Sequence, residues 1–356
     1  MPVSKCINIP LLAFSITAAL GSAPVGTPVW DYSAIDLSTH AYKVSKAFAV
    51  SGSQLGGDGS ARRDGNEQAL FWVGTPLHPL NLNSTESGLT WSWIRGMSTN
   101  RQVGWGKGML TDGNMHALLW FGTVQSIVDL NPSGFESSQA YGVCGNQEIG
   151  QGRPINGGIQ ALLWTDTSQS AVNLNPSWSS ASYCYTTDGT HQVGAAEINN
   201  NYHAVLWHGT AGSVIDLNPT GFSSSQAYGL SGNQQAGFGT PNGKPNHALV
   251  WYGSAGSVVD LNPTGFSTSY AMSTNGKQQV GFGLPPGANQ EHALVWSGTA
   301  QSCVDLQQFL PPDAVGSMAI CIDAQGNIAG WASYGSGSYH AVEWVPRKAP
   351  GSIPAK

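Results

Sequence analysis

A segment of about 45 residues recurs along this chain, and a repeat of that length limits the possible folds more tightly than any other feature. Three copies read HALLWFGTVQSIVDLNPSGFESSQAYGVCGNQEIGQG from His116, HAVLWHGTAGSVIDLNPTGFSSSQAYGLSGNQQAGFG from His203, and HALVWYGSAGSVVDLNPTGFSTSYAMSTNGKQQVGFG from His247. Each carries a tryptophan at the same place. The anchors are Trp72, Trp120, Trp164, Trp207, Trp251, Trp296 and Trp344, spaced by 48, 44, 43, 44, 45 and 48 residues. Units repeated so regularly bury their apolar faces against neighbouring units.

Each copy divides into four short apolar runs. In one copy, run A is Ala227-Tyr228-Gly229-Leu230-Ser231, and a Gly-Asn turn leads to B, Gln234-Gln235-Ala236-Gly237-Phe238. A variable loop precedes C, His247-Ala248-Leu249-Val250-Trp251, and a Gly-Ser turn leads to D, Ser257-Val258-Val259-Asp260-Leu261. Short runs rich in Val, Leu, Tyr and Trp, bounded by Gly, Asn and Pro, predict strands. Helical periodicity is absent. Four strands per copy make a propeller blade, and seven copies lie within the usual blade number.

The two ends of the repeat complement each other. Twelve residues remain after Trp344, too rich in proline for another strand D. Near the N-terminus, Val29 to Leu37 ends in the Asp-Leu of the D strands and precedes the first A, at Ala47. The expected fold is all-β: a seven-bladed β-propeller of four-stranded antiparallel blades over residues 22–346, closed by the N-terminal strand joining the last blade. Closure removes exposed strand edges. The alternative is an open solenoid with capped ends.

Composition narrows the class. Charged residues are 10% of the chain, against ~25% in ordinary soluble domains, which excludes a long helical or coiled-coil protein. Apolar residues at 40% argue against disorder. A net charge of −6 gives no electrostatic reason to expect nucleic acid as the partner. Residues 1–21 read as a secretory signal, with Lys5, an apolar run from Ile7 to Leu20, and small residues at Ala19-Leu20-Gly21. No later stretch approaches the ~20 apolar residues of a membrane span, so a secreted chain is expected, with residues 347–356 as a tail. Cys6 lies in the leader. An even set, Cys144, Cys184, Cys303 and Cys321, invites a disulfide reading. The strand positions keep these pairs apart, and no spacing fits zinc, so four free thiols, no metal and no cofactor are expected.

The His-Ala-Leu or His-Ala-Val tripeptide, the anchor Trp, the Asp-Leu pair and the Gln-x-x-Gly element resemble the HAF family of extracellular repeats, named for a His-Ala-Phe tripeptide. The resemblance covers roughly residues 30–345. It implies a secreted, bacterial-type protein with a propeller-like fold, and no particular activity. The Asp-Leu-Asn-Pro-x-Gly-Phe linker departs from the commoner Asp-Leu-Gly-rich form and points to a separate subfamily.

The repeated polar residues read as structure. His116, His203, His247, His292 and His340 open strand C, and Asp129, Asp216, Asp260 and Asp305 close strand D. Catalysis needs one unique constellation, whereas these recur. Gln68 and Gln160 replace His, and Asn81 and Asn173 replace Asp. Amides keep hydrogen bonds but cannot do acid–base work, so these pairs are expected to satisfy buried polar groups. The anchor tryptophans are expected to pack between blades.

Functional residues are sought on one face. Strands alternate in direction, so the B–C loops and D–A linkers share a face, and the B–C loops differ in every blade. The scarce charges collect there, including Asp58, Arg62, Arg63, Asp64, Glu67, Lys107, Arg153, Glu197, Lys244 and Glu291. Loops on a rigid scaffold commonly carry binding. Blade two adds Trp91, Trp93 and Arg95, and Arg95 falls where other A strands carry Tyr141, Tyr185 and Tyr228, facing the channel. Trp91 and Trp93 alternatively cap a long linker. The candidate ligand-binding set is Arg62, Arg63, Asp64, Glu67, Trp91, Trp93, Arg95, Lys107 and Arg153. Arginine beside aromatic rings suits sugar or carboxylate recognition. The expected function is a secreted binding module for a glycan or extracellular surface partner. The alternatives are a polysaccharide lyase or hydrolase using Arg62, Arg63, Asp64, Glu67 and Arg95, or a structural or adhesion domain.

Overall fold

The computed structural model describes residues 31–62, 65–74, 78–83, 88–335 and 337–347, which form seven four-stranded antiparallel sheets. The leader expected at residues 1–21, Arg63, Asp64 and most of the C-terminal tail lie outside the described residues. Within each sheet the strands follow chain order from A to D. The seventh differs, because its outer strand is Tyr32–Asp36, paired with Ser338–Pro346 at Ala34↔Trp344 and Ile35↔Glu343. The chain is therefore a seven-bladed β-propeller whose N-terminal strand completes the last blade.

The anchor tryptophans hold neighbouring blades together. All seven are fully buried. Trp164 sits among Val103, Ala117, Leu119 and Leu130 of the preceding blade, and Trp251 among Val193, Ala204, Leu206 and Leu217. At the closure, Trp72 packs with Leu37, Ala329 and Ala341, and its indole N–H donates to the Leu37 carbonyl at 3.3 Å. Burying one such side chain contributes about 1.5–3 kcal/mol.

A second link between blades is polar. A serine on each strand A accepts the backbone N–H of an alanine on the preceding blade's strand C: Ser92 from Ala69, Ser138 from Ala117, Ser182 from Ala161, Ser225 from Ala204, Ser269 from Ala248, Ser317 from Ala293 and Ser45 from Ala341, at 2.9–3.1 Å. The Asp-Leu-Asn-Pro linker organises this contact. In one copy Asp216 accepts His203 at 2.8 Å and the Asn218 N–H at 2.7 Å, and Asn218 Oδ1 accepts the Ser225 hydroxyl at 2.7 Å. The His–Asp pairs are thus clasps between strands C and D, at 2.7–2.8 Å in blades two, four, five and six. His340 takes Asp36 of the N-terminal strand. Where the amides replace them, Asn81 donates to Gln68 and Asn173 to Gln160.

The strands differ in length from the sequence expectation. Strand A reaches ten residues in blades one, two, three and five, because the last linker residues, beginning at Tyr42, Leu89, Phe135 and Phe222, continue the pairing. Strand D shrinks to two residues in blades two, four, five and six. There a 3-10 turn takes its first half. In Ala255–Ser257, Ser257 Oγ accepts the Tyr252 N–H and donates to the Ser254 carbonyl. Cys303, expected on strand D, ends such a turn just before Val304–Asp305. Cys184, Cys303 and Cys321 are not joined in disulfides. Among the described residues no helix is long and apolar enough to cross a membrane.

Candidate functional site

The channel-facing residue of every blade is set by one backbone device. Pairing between strands A and B skips a residue between Ala47/Ala49, Ile94/Gly96, Ala140/Gly142, Cys184/Thr186, Ala227/Gly229, Ala271/Ser273 and Ala319/Cys321. The skipped residues are Phe48, Arg95, Tyr141, Tyr185, Tyr228, Met272 and Ile320. A bulge re-aims its extra side chain, and all seven line a cavity of about 700 Å³ on the propeller axis. The partner strand must be glycine at this level. A Cβ on Gly57, Gly104, Gly150, Gly194, Gly237, Gly281 or Gly330 would lie 1.8–2.0 Å from a strand A carbonyl. The glycine of the Gln-x-x-Gly element is this contact.

At the bulge ring and above it, toward the B–C loops, the wall is largely aromatic. Trp93 lies 5.9 Å from Trp105, and Trp105 lies 5.2 Å from Tyr141. Tyr185 stacks on Tyr228 at 4.2 Å with planes 3° apart, and Phe238, Tyr270 and Phe282 continue the series at 4.9 Å steps. Burial raises the pKa of the Tyr141, Tyr185 and Tyr228 hydroxyls, so they stay neutral and able to donate.

Charge occupies one sector, at blades one and two. Arg95 Nη1 donates to Asp58 Oδ1 at 2.6 Å and to the Ile94 carbonyl at 3.0 Å. The guanidinium lies over Phe48 at 3.8 Å and Trp105 at 4.7 Å. Burial pushes the Asp58 carboxyl above its ordinary range, against the opposing pull of Arg95. Lys46, opposite Asp58 in the sheet, stands over Trp331 at 5.1 Å and Tyr339 at 4.8 Å. Glu67 accepts the Trp93 indole N–H at 2.5 Å. Asp58 fixes the orientation of the Arg95 guanidinium, which lines the central cavity.

The candidate residues from sequence divide between this cluster and its surroundings. Glu67, Trp93 and Arg95 meet in it. Arg62 lies at the rim, its Nε donating to the His40 carbonyl at 3.0 Å. Trp91 is half exposed on strand A beside Lys107, whose ammonium is 5.9 Å from its ring. Trp91 and Trp93 belong to the strand Leu89–Ser98, not to a linker cap. Asp58, Lys107, Arg153 and Glu197, expected on loops, lie within strands B, and Asp58 is buried. Lys46, Phe48, Trp105 and Trp331 were missed. Their signal is positional, since each sits at a blade register that faces the axis. Among the described residues no three His, Cys, Asp or Glu side chains come together as a metal-binding group.

No family model and no curated protein sequence matches the chain. Solved structures do. It is similar to the β-propeller domain of the Trilobed protease from Pyrococcus furiosus, described as having an open velcro topology, with TM-score 0.57, 9% identity, and 88% of this chain and 99% of that one covered. It is similar to puromycin hydrolase, with TM-score 0.61 and 9% identity, over 88% of this chain and 55% of that one, so it spans about half of that enzyme. It is similar to oligogalacturonate lyase from Vibrio parahaemolyticus, with TM-score 0.53 and 11% identity, over 89% of this chain and 97% of that one. At such identities these likenesses establish the propeller fold and leave activity open.

Proposed function

We propose that the protein is a secreted, non-catalytic binding module of HAF type that takes a glycan at the B–C mouth of its central channel. The observation that carries this reading is the asymmetry of that mouth: aromatic rings round most of the wall, and one charged sector formed by Arg95, Asp58, Lys46 and Glu67. Sugar rings present apolar C–H faces to aromatic planes and hydroxyls to fixed polar groups. The central cavity of about 700 Å³ lies mostly between the bulge ring and the A–B turns and reaches the B–C side at Gln151, Tyr183, Phe282 and Trp331, so a short oligosaccharide entering the mouth would extend into it. A glycan array probed with the full chain tests the proposal. Binding that falls in an Arg95→Gln/Asp58→Asn double variant supports it, and a blank array removes it.

One observation favours a second reading, an enzyme acting on polysaccharide. Asp58 is a buried carboxyl with a raised pKa, hydrogen-bonded to Arg95, which lines the central cavity, and such carboxyl–arginine pairs are suited to proton transfer. Oligosaccharide cleavage by the wild-type chain that is absent in Asp58→Asn would select it.

A further inference from the structure

The central cavity does not end at the channel mouth. A second pocket of about 280 Å³ adjoins it between blades two and three, and Gln151 lines both. Two cations line this pocket, Lys107 at the end of strand B of blade two and Arg153 at the end of strand B of blade three. Among the described residues no carboxylate lines it; its polar walls include Asn114, Ser137, Ser138, Gln139 and Gln151. Among the described residues neither cation has an ion-pair partner, as is also true of Lys43, Lys46, Arg62, Lys244 and Lys277; what sets these two apart is that both line one pocket. Two cations and no lining carboxylate among the described residues give this pocket a positive charge, in a chain whose net charge is −6. Gln139 and Gln151 are locked together, Gln151 Nε2 donating to Gln139 Oε1 at 2.9 Å, and Tyr141 donates to the same oxygen at 2.8 Å. The pocket floor is therefore tied to the aromatic wall of the channel.

Outward, Lys107 also borders a shallow depression lined by Trp91, Met109 and one carboxylate, Asp112, so the acidic group of a ligand is placed in the inner pocket and an uncharged ring in this one. Trp91 and Met109 are exposed, Met109 at 89%. Three recesses thus follow one another from the axis to the rim, joined at Gln151 and at Lys107. A chain-like ligand fits that order, with a ring against the channel aromatics, an acidic group between the cations, and a further ring on Trp91.

We propose that this path binds an anionic oligosaccharide, with a carboxylate or sulfate of one sugar unit held between Lys107 and Arg153 and the next unit stacked on Trp91. The proposal rests on the glycan reading above and adds the charge of the ligand. Arginine takes either acid group through paired N–H donors, and lysine supplies a point charge.

Calorimetry on the full chain tests it with four probes: hexagalacturonic acid, its methyl ester, a sulfated neutral hexasaccharide, and the same hexasaccharide unsulfated. The expected result is binding of one or both acidic probes, weakened by salt. Lys107→Gln/Arg153→Gln should weaken it about tenfold or more, with unchanged affinity for the ester and the unsulfated sugar. Preference between the two acidic probes identifies the acid group. Trp91→Ala should weaken acidic and neutral probes alike. Equal affinity for charged and uncharged probes, or acidic binding unaltered in the double variant, overturns the proposal while leaving the glycan reading intact. Binding of none of the four overturns it too. Both substituted side chains lie at the pocket's surface, and a wild-type melting temperature shows that the variants fold.

Discussion

Replacing Glu343 should stabilise the protein increasingly as pH rises from about 4.5 to about 7, and by a constant amount above that. Glu343 lies on strand C of the last blade, one residue before its anchor tryptophan. The other blades place Phe71, Leu119, Leu163, Leu206, Val250 and Val295 there. Its side chain is 5% exposed. Burial first, and then the charge of Asp323, raise its pKa from 4.5 to about 7. The folded protein therefore holds this proton more tightly than the unfolded chain does. The stabilising contribution of the protonated acid is complete below pH 4.5 and is lost as pH rises through 7. At about 1.4 kcal/mol per pH unit, the loss approaches 3 kcal/mol by pH 8, roughly. Glu343→Gln abolishes that loss. Urea unfolding of wild type and variant at pH 5 and pH 8 measures it. The difference between the two proteins should grow in favour of the variant by about 2–3 kcal/mol between these pH values. Glu148, whose pKa is also raised to about 7 by burial, sits in blade three and contributes equally to both proteins. A difference that does not change with pH would refute the assigned burial of the Glu343 carboxyl and with it the local packing of the closure blade.

Other substitutions separate the parts of the structure. Arg95→Ala leaves Asp58 buried without its cation and should cost about 3 kcal/mol or more, while Arg95→Gln/Asp58→Asn should cost less than the single change; urea midpoints decide. Ser225→Ala orphans the Ala204 N–H between blades four and five and should cost about 1–3 kcal/mol in the same assay. His247→Gln/Asp260→Asn copies the amide clasp of blades one and three and should change stability by less than about 1 kcal/mol, with glycan binding untouched; a loss of binding would restore a functional role to the pairs.

The wheel and its closure were readable in the sequence because both rest on composition at fixed spacing. The anchor tryptophans mark the period, and the Asp-Leu after Ile35 marks a strand D without a blade. The placement of Arg95 on the axis was readable for the same reason. The amide exchange at Gln68–Asn81 and Gln160–Asn173 correctly marked the His–Asp pairs as hydrogen-bonded clasps, though it did not show that each pair closes on itself. What was not readable depends on pairing between strands. The bulge at Phe48, Arg95 and their equivalents is a register event, and its trace, the glycine opposite, resembles any turn glycine. Loop boundaries drawn from polarity placed Asp58, Lys107 and Arg153 outside the strands that carry them. Polar residues at a strand end that faces a channel look the same in sequence as polar residues in a loop. Lys46 escaped notice because its partners, Trp331 and Tyr339, come from the last blade, nearly 300 residues away.

The central claim is that the ligand is taken at the B–C mouth of the channel, in the sector of Arg95. A crystal structure of the full chain with the tightest binder from the glycan array tests it most directly. A sugar ring packed on Trp93, Trp105 or Trp331, with a polar group on Arg95, is the predicted result. Ligand bound at the A–B turns, or along the outer D strands, would contradict the account.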